Sequence, residues 1–421
     1  MKEQETIAIL GAGIAGVATA YYVGQSDPEA KVVLIDKNQP LSYTTSKSGE
    51  NYRNYWPQHC MQQFIGHSID LMEDLRLKYG SNAFEMNRSG YNFITHSPDK
   101  NIFGIQKTKG DKEAIQEITD AATIKKEFSY LETGIQKVVS IKNAGKIDVQ
   151  ALGNLLLREA KKSGARLVAG EVLTIDRKGS KFQLLLDTKN VLVADKLVIA
   201  AGPFMNHVAA MLGMQFPIIN TLQRKFMIPD PNKIIPRDMP FTIYVDSQYL
   251  NWTEEEKAFF ETDEKFHWLL QEFPGGLHIK PDGHGIKLGW ALEKNDFEPT
   301  WEIPRSDIFP QIVLRGASRF IPQLGEYAEV IPSPLVQYGG FYTRTKENWP
   351  LIGPTELSNV YVVGALSGFG TMGACAAGEL CADQMYGKKA VPEYAAYFHP
   401  SRYDDGNFMN ILQGVTNDGQ L

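Results

Sequence analysis

The stretch Ile7–Asp36, IAILGAGIAGVATAYYVGQSDPEAKVVLID, decides the fold. A short apolar run (Ile7, Ala8, Ile9, Leu10) meets Gly11, Gly13 and Gly16 in GxGxxG spacing. A small-residue helix follows, and a second apolar strand ends in Asp36. The three glycines have separate physical tasks in such a βαβ unit. Gly11 permits the tight turn, Gly13 lets backbone approach a pyrophosphate, and Gly16 lets helix and strand pack closely. Free N–H groups and the helix dipole at the helix start favour the diphosphate charge. Asp36, about twenty residues after Gly16, is placed to accept hydrogen bonds from ribose hydroxyls and would repel a 2′-phosphate. The unit therefore predicts a dinucleotide that is not NADP and leaves FAD and NAD open.

Outward from this unit, bulk properties narrow the class. The chain has 421 residues, 43% hydrophobic and 22% charged, ordinary for a globular protein and long enough for two domains. A net charge of -6 offers no basic footprint for nucleic acid. No apolar run reaches the roughly 18 residues of a membrane span. The N-terminus runs from a polar pentapeptide into a strand without a signal-peptide core. Cys60, Cys375 and Cys381 form no CxxC pair, which fits a reducing cytoplasm, and the histidines lack metal-binding spacing.

After Asp36, the polar stretch NQPLSYTTSKSGENYRNYWPQHC reads as a loop returning over the nucleotide, with Thr45, Ser46 and Ser48 offering hydroxyls and Arg53 facing flavin or an anionic substrate. Apolar residues at three- and four-residue intervals predict a helix over 57–79. Tyr91–Thr95 reads as a strand and 111–128 as a charged helix or loop. Asp148 reads as the N-cap of a helix that Gly164 ends. Short β-rich runs lead to KLVIAAGPF, where Ala201-Gly202-Pro203 forms a second close-approach turn. Residues 216–344 alternate strand pieces with one helix, Ser306–Phe320, and predict a largely antiparallel sheet. The strand Val360–Gly364 then feeds SGFGTMG and a helix whose small stripe (Ala374, Ala377, Gly378, Cys381) allows close helix packing.

These three separated features together resemble the FAD-dependent D-amino acid oxidase superfamily, particularly its sarcosine oxidase and glycine oxidase branches. The motifs that carry the resemblance are the Ile7–Asp36 fingerprint, GKIDVQALGNLLLREAKKSGARLVAG, LVIAAGPF, GGFYTRTKENWPLIGPTELSNVYVVGALSGFGTMG and YFHPSRY. The resemblance implies a mixed α/β (α+β) fold. A Rossmann-like FAD-binding domain of the glutathione reductase type would comprise 1–90, 141–215 and 345–421, and a largely antiparallel substrate domain 91–140 and 216–344. It implies that Gly11, Gly13, Ala15 and Gly16 hold the pyrophosphate and Asp36 and Lys37 the ribose. Val172 would meet adenine, Ala200 and Gly202 would line the nucleotide, and Gly368, Gly370, Thr371 and Met372 would approach the flavin ring. Gly340 stands where sarcosine oxidases carry a flavin-linked cysteine, so dissociable FAD is expected.

Lys287, in GHGIKLGW, matches a sarcosine oxidase lysine near flavin N5, which implies a role in electron transfer to oxygen. Strand alternation puts Gly285, Lys287 and Gly289 on one face, with the glycines expected to clear room for a planar ring. The family's carboxylate anchors are replaced by Tyr342 and Met372. Arg53 or Arg344 would then take over, unless the substrate is not a simple α-amino acid, and Tyr52, Trp290 and Tyr342 could frame an amine. The expected activity is oxidation of the C–N bond of an amine or amino acid, of the secondary or N-methyl type, to an imine, with oxygen giving hydrogen peroxide. The alternatives are an FAD dehydrogenase of an amino acid or 2-hydroxy acid that passes electrons to a quinone or electron-transfer protein, and a flavin-containing scaffold.

Overall fold

The structure is a computed structural model that describes residues 4–102, 115–387 and 390–413. Its core is a six-stranded sheet in the order Leu351–Pro354, Val360–Gly364, Lys196–Ile199, Thr6–Leu10, Lys31–Asp36, Arg166–Ala169. All pairs are parallel except the edge hairpin Leu351–Pro354 with Val360–Gly364. Both faces are covered, as the unbroken apolar character of these strands requires. Ile7, Ile9, Val32 and Leu34 face helices, whereas Ala8, Leu10, Val33 and Ile35 pack with Ile175, Phe182 and Leu184 of a three-stranded antiparallel sheet. That sheet is made from Val172–Lys178, Lys181–Leu186 and Val191–Ala194.

Three layers thus form around one strand set. On the helical side, Ile14–Ser26 lies against Gly370–Tyr386, and a Cβ on Gly378 would come within 2.6 Å of the Ala18 carbonyl carbon. The small stripe read from the sequence therefore does bring two helix backbones together. Asp148 accepts from Ala151 N at 2.8 Å and caps the helix Val149–Lys162, with Gly164 at φ +94° just beyond it. His59–Tyr79 forms the long helix expected over 57–79.

The second sheet has eight strands in the order Val336–Thr345, Ile218–Pro229, Gly285–Trp290, Leu277–Asp282, Phe241–Tyr244, Tyr91–Thr95, Lys137–Ile141, Ile115–Ile118. Every pairing is antiparallel save Phe241–Tyr244 with Tyr91–Thr95. Of the segment 111–128, residues 111–114 lie outside the described residues, and the rest supplies Ile115–Ile118 and a helix, Ala121–Glu127. One face of the sheet buries Phe226, Ile228, Ile286, Leu288 and Trp290 against the helix Phe309–Ser318. A second helix, Glu254–Glu261, opens on a capping box of Thr253 and Glu256, a TxxE signature that the sequence reading passed over. The loop after Asp36 is more ordered than a solvated return: Thr44–Lys47 is a 3-10 turn, and Asn51–Arg53 pairs with Ala144–Lys146. Among the described residues no helix is long and apolar enough to cross a membrane.

Candidate functional site

A long cavity of about 390 Å³ runs between the two sheets along the C-terminal ends of the parallel strands. At one end lie Gly11, Gly13 and Ala15, with Asp36, Lys37 and Val172 beside them; at the other lie Gly368, Gly370 and Thr371. Gly11 has φ +111°, and a Cβ on Gly16 would overlap the Gly11 carbonyl oxygen. The turn is thus closed by backbone on backbone. Asp36 is oriented by Ala12 N (2.8 Å) and Asn38 N (2.9 Å), which fixes its carboxylate at the strand end. The helices Ile14–Ser26 and Gly370–Tyr386 begin beside the cavity at Gly13 and Phe369, neither of which supplies a capping side chain. Thr45 accepts from Ile14 N at 3.0 Å, and Thr44 has its Oγ1 buried with no partner among the described residues.

An elongated cradle with two such helix starts, a fixed terminal carboxylate and a buried hydroxyl left to satisfy fits a diphosphate-linked flavin nucleotide. Ala200 and Gly202 line its floor, Gly202 at φ +54°. Over its outer edge, Trp301 stacks on Phe204 (4.3 Å between ring centroids), meets Tyr43 at 4.9 Å and receives the Lys37 ammonium at 4.4 Å. No local signal in the sequence marks this lid, because its parts come from three distant loops.

A smaller cavity of about 50 Å³ adjoins the first. Ser48, Gly49, Lys225, Tyr342 and Gly368 line both. Met372 and Lys287 line the smaller one, together with Tyr91, His278 and Lys280. Lys287 donates to Asp282 at 2.6 Å. Burial pulls its pKa down, but Tyr338 and Asp282 together raise it above the ordinary lysine value. Of these two only the carboxylate is ionised at neutral pH, so Asp282 is the ion-pair partner of this charge, with Glu50 adding to the field.

Several expected placements do not occur. Trp290 follows Lys287 by three residues, and strand alternation turns it into the core, where its Nε1 donates to Pro274 O at 2.8 Å. Tyr52 is also buried in the core and donates to Asn87 O at 2.9 Å, so neither ring frames the cavity. Arg53 is fully buried behind the cavity wall, stacked over Trp56 (4.3 Å), Phe93 (5.1 Å) and Tyr91 (5.3 Å). Arg344 lines neither cavity. Ser46 is exposed and donates to the Ser42 and Tyr43 carbonyls of its own loop. The room expected around Lys287 is already filled: a Cβ on Gly289 would come within 2.5 Å of His278 Nε2 and 2.9 Å of Lys225 Cγ.

Lys225, Lys280 and His278 were not visible as site residues from sequence. Their common face emerges only from the register Lys225↔Gly289, His278↔Gly289 and Lys280↔Lys287. The alternation in His278-Ile279-Lys280 was the one available signal.

The chain matches the family model "DAO: FAD dependent oxidoreductase" over residues 6–384, and it belongs to that family. The curated relative "Uncharacterized oxidoreductase YurR" of Bacillus subtilis (strain 168) is 28% identical over 221 residues, 50% of this chain. The match spans 58% of that relative, less than two thirds of its length. Among solved structures, L-proline dehydrogenase from P. horikoshii matches with a TM-score of 0.73 and 21% identity over 96% of this chain and 99% of its own. Glycine oxidase from Geobacillus kaustophilus matches with a TM-score of 0.73 and 17% identity over 95% and 99%. At these identities the likeness is one of fold.

Proposed function

We propose that this chain oxidises the C–N bond of an amine or amino acid, using FAD bound in the long cavity and oxygen as the acceptor. The observation that carries the reading is the continuity of the long cradle with a small, lysine-lined cavity through Tyr342 and Gly368. The names of the two structural matches, a proline dehydrogenase and a glycine oxidase, support the substrate class. FAD bound there supplies hydride acceptance from the carbon next to nitrogen and onward delivery of two electrons to oxygen.

The chain's own residues bind, orient and exclude water. Gly11, Gly13 and Ala15 would hold the diphosphate, Asp36 and Lys37 the ribose, and Val172 the adenine. Gly368, Gly370, Thr371 and Met372 would meet the ring end. Tyr91, Phe241, Phe369 and Met372 wall the small cavity, where desolvation favours the neutral amine that can release a hydride. Lys287 keeps a positive charge near oxygen, stabilising negative charge as it develops. Gly340 lines the cavity without a thiol, so FAD should dissociate. Three buried, unpaired cysteines accord with a reducing cytoplasm.

Anaerobic stopped-flow mixing with a panel of amines and amino acids tests the reading; a flavin that stays oxidised with every compound refutes it. Lys287→Met should slow reoxidation by oxygen about tenfold or more while changing anaerobic reduction little, and equal losses in both steps would remove the oxygen role. Trp301→Ala should weaken FAD binding about fivefold to tenfold through loss of stacking, read by ultrafiltration of released flavin.

His278 favours one second reading. Burial, then the Lys225 charge, push its pKa down to about 4, so it is neutral. Its Nδ1 lies 3.0 Å from the Gly276 carbonyl, which assigns the proton there and leaves the Nε2 lone pair to accept a hydrogen bond. A 2-hydroxy acid could direct its hydroxyl at such an acceptor, although a proton acceptor with so low a pKa is weak. Faster flavin reduction by 2-hydroxy acids than by any amine would select that reaction.

A further inference from the structure

We infer that the acid group of the substrate is received by Lys225 and Lys280, projecting from the eight-stranded sheet, so that the substrate of this site carries a carboxylate. The inference rests on the catalytic reading above. Lys225, Lys280 and Lys287 stand on the cavity face of three adjacent strands, each under 9% exposed (6%, 5% and 8%). Lys287 is neutralised by Asp282. The other two have no acidic partner within ion-pair distance among the described residues.

Lys280 donates to Gly49 O (2.5 Å) and Asn51 Oδ1 (3.2 Å), and Lys225, among the described residues, donates only to Lys47 O, at 3.3 Å. The groups facing Lys225 are the Tyr342 ring at 5.7 Å, neutral His278 and the like charge of Lys287. Glu50 is the acid among the residues that line this cavity, and the fields of Asp282 and Glu50 act on both Lys280 and Lys287. Burial of an ammonium without a counter-ion is costly, and a bound carboxylate removes that cost.

Burial, then Lys287, lower Lys225 to about 8 and Lys280 to about 7, the state expected of cations whose anion comes with the ligand. The positions differ from the two arginines considered from sequence, neither of which lines the small cavity. The cavity's small size suits a short acid held close to the Tyr342 ring.

The test is titration of the FAD-loaded protein with acetate and with acetamide at pH 7, followed by the flavin absorbance spectrum. Acetate should bind saturably and acetamide should not. Lys225→Met and Lys280→Met should each weaken acetate roughly tenfold to a hundredfold, the range for a lost charge-assisted hydrogen bond. Lys225→Arg should restore most of the affinity. Acetate binding by wild type should fall as pH rises from 7 to 9.

Unchanged acetate affinity in the double Met variant would overturn the inference, as would equal binding of acetamide or loss of FAD without loss of acetate affinity in the loaded fraction. An amine panel run alongside separates the two readings. Amines that reduce the flavin with KM indifferent to Lys225→Met refute the carboxylate site but keep the oxidase. Acetate binding through Lys225 with no amine reducing the flavin does the reverse.

Discussion

Gly16→Ala is expected to yield protein that loses FAD on purification, with affinity reduced on the order of a hundredfold, or about 2.8 kcal/mol. The added Cβ would overlap the Gly11 carbonyl oxygen and lie 3.4 Å from the Ala200 Cβ. Because the obstacle is backbone, relief requires the helix Ile14–Ser26 to move away from its strand or the glycine turn to open. Either movement displaces the N–H groups aimed at the diphosphate, and losing one or two charge-assisted hydrogen bonds accounts for the expected magnitude. Gly13→Ala makes the control. Its Cβ would meet only Thr45 Oγ1, at an ordinary 3.5 Å, so the apoprotein should unfold in urea as wild type does while FAD affinity still falls. Gly16→Ala should lower both quantities, and a Gly16→Ala protein that binds FAD normally would show that the turn is not what shapes the cradle.

Glu347→Ala is expected to destabilise the protein by about 3–5 kcal/mol in urea unfolding. Glu347 and Arg402 form an ion pair with 4% and 0% of their side chains exposed. Arg402 Nε donates to Glu347 Oε1 at 2.9 Å and Nη1 to Pro350 O at 2.6 Å, while Tyr403 OH donates to the same carboxylate at 2.7 Å. Removing the acid leaves a guanidinium in the interior with no counter-charge. Removing both charges should cost less, so Glu347→Leu combined with Arg402→Met is expected to recover part of the loss. A single variant that loses under about 1 kcal/mol would place the pair among exposed, weakly coupled ones.

What the sequence revealed was local. The fingerprint, the Asp148 cap and the helix His59–Tyr79 each depend on residues within one or two elements, where spacing alone dictates geometry. Trp290 failed as a site residue for a reason also local, the alternation that had already placed Lys287 on the other face. Lys225 and His278 failed differently. Their meeting across Gly289 depends on strand register between segments more than fifty residues apart, and a polar residue in a strand gives no hint of what faces it. Trp301 closes the nucleotide cavity from a loop with no periodicity at all. Fold and cofactor class were therefore readable, while the chemistry of the small cavity had to come from the sheet.

The interlocked order of the chain carries a consequence for synthesis. The parallel sheet needs Val360–Gly364, and the first helix, Ile14–Ser26, is backed by Gly370–Tyr386 across the Ala18–Gly378 contact. A ribosome must thus reach Gly370–Tyr386 before the helix after the opening glycine turn acquires this neighbour. Until then Ile14–Ser26 has Val149–Lys162 to pack against, and the side that meets Gly370–Tyr386 waits for the last strand and helix of the layer.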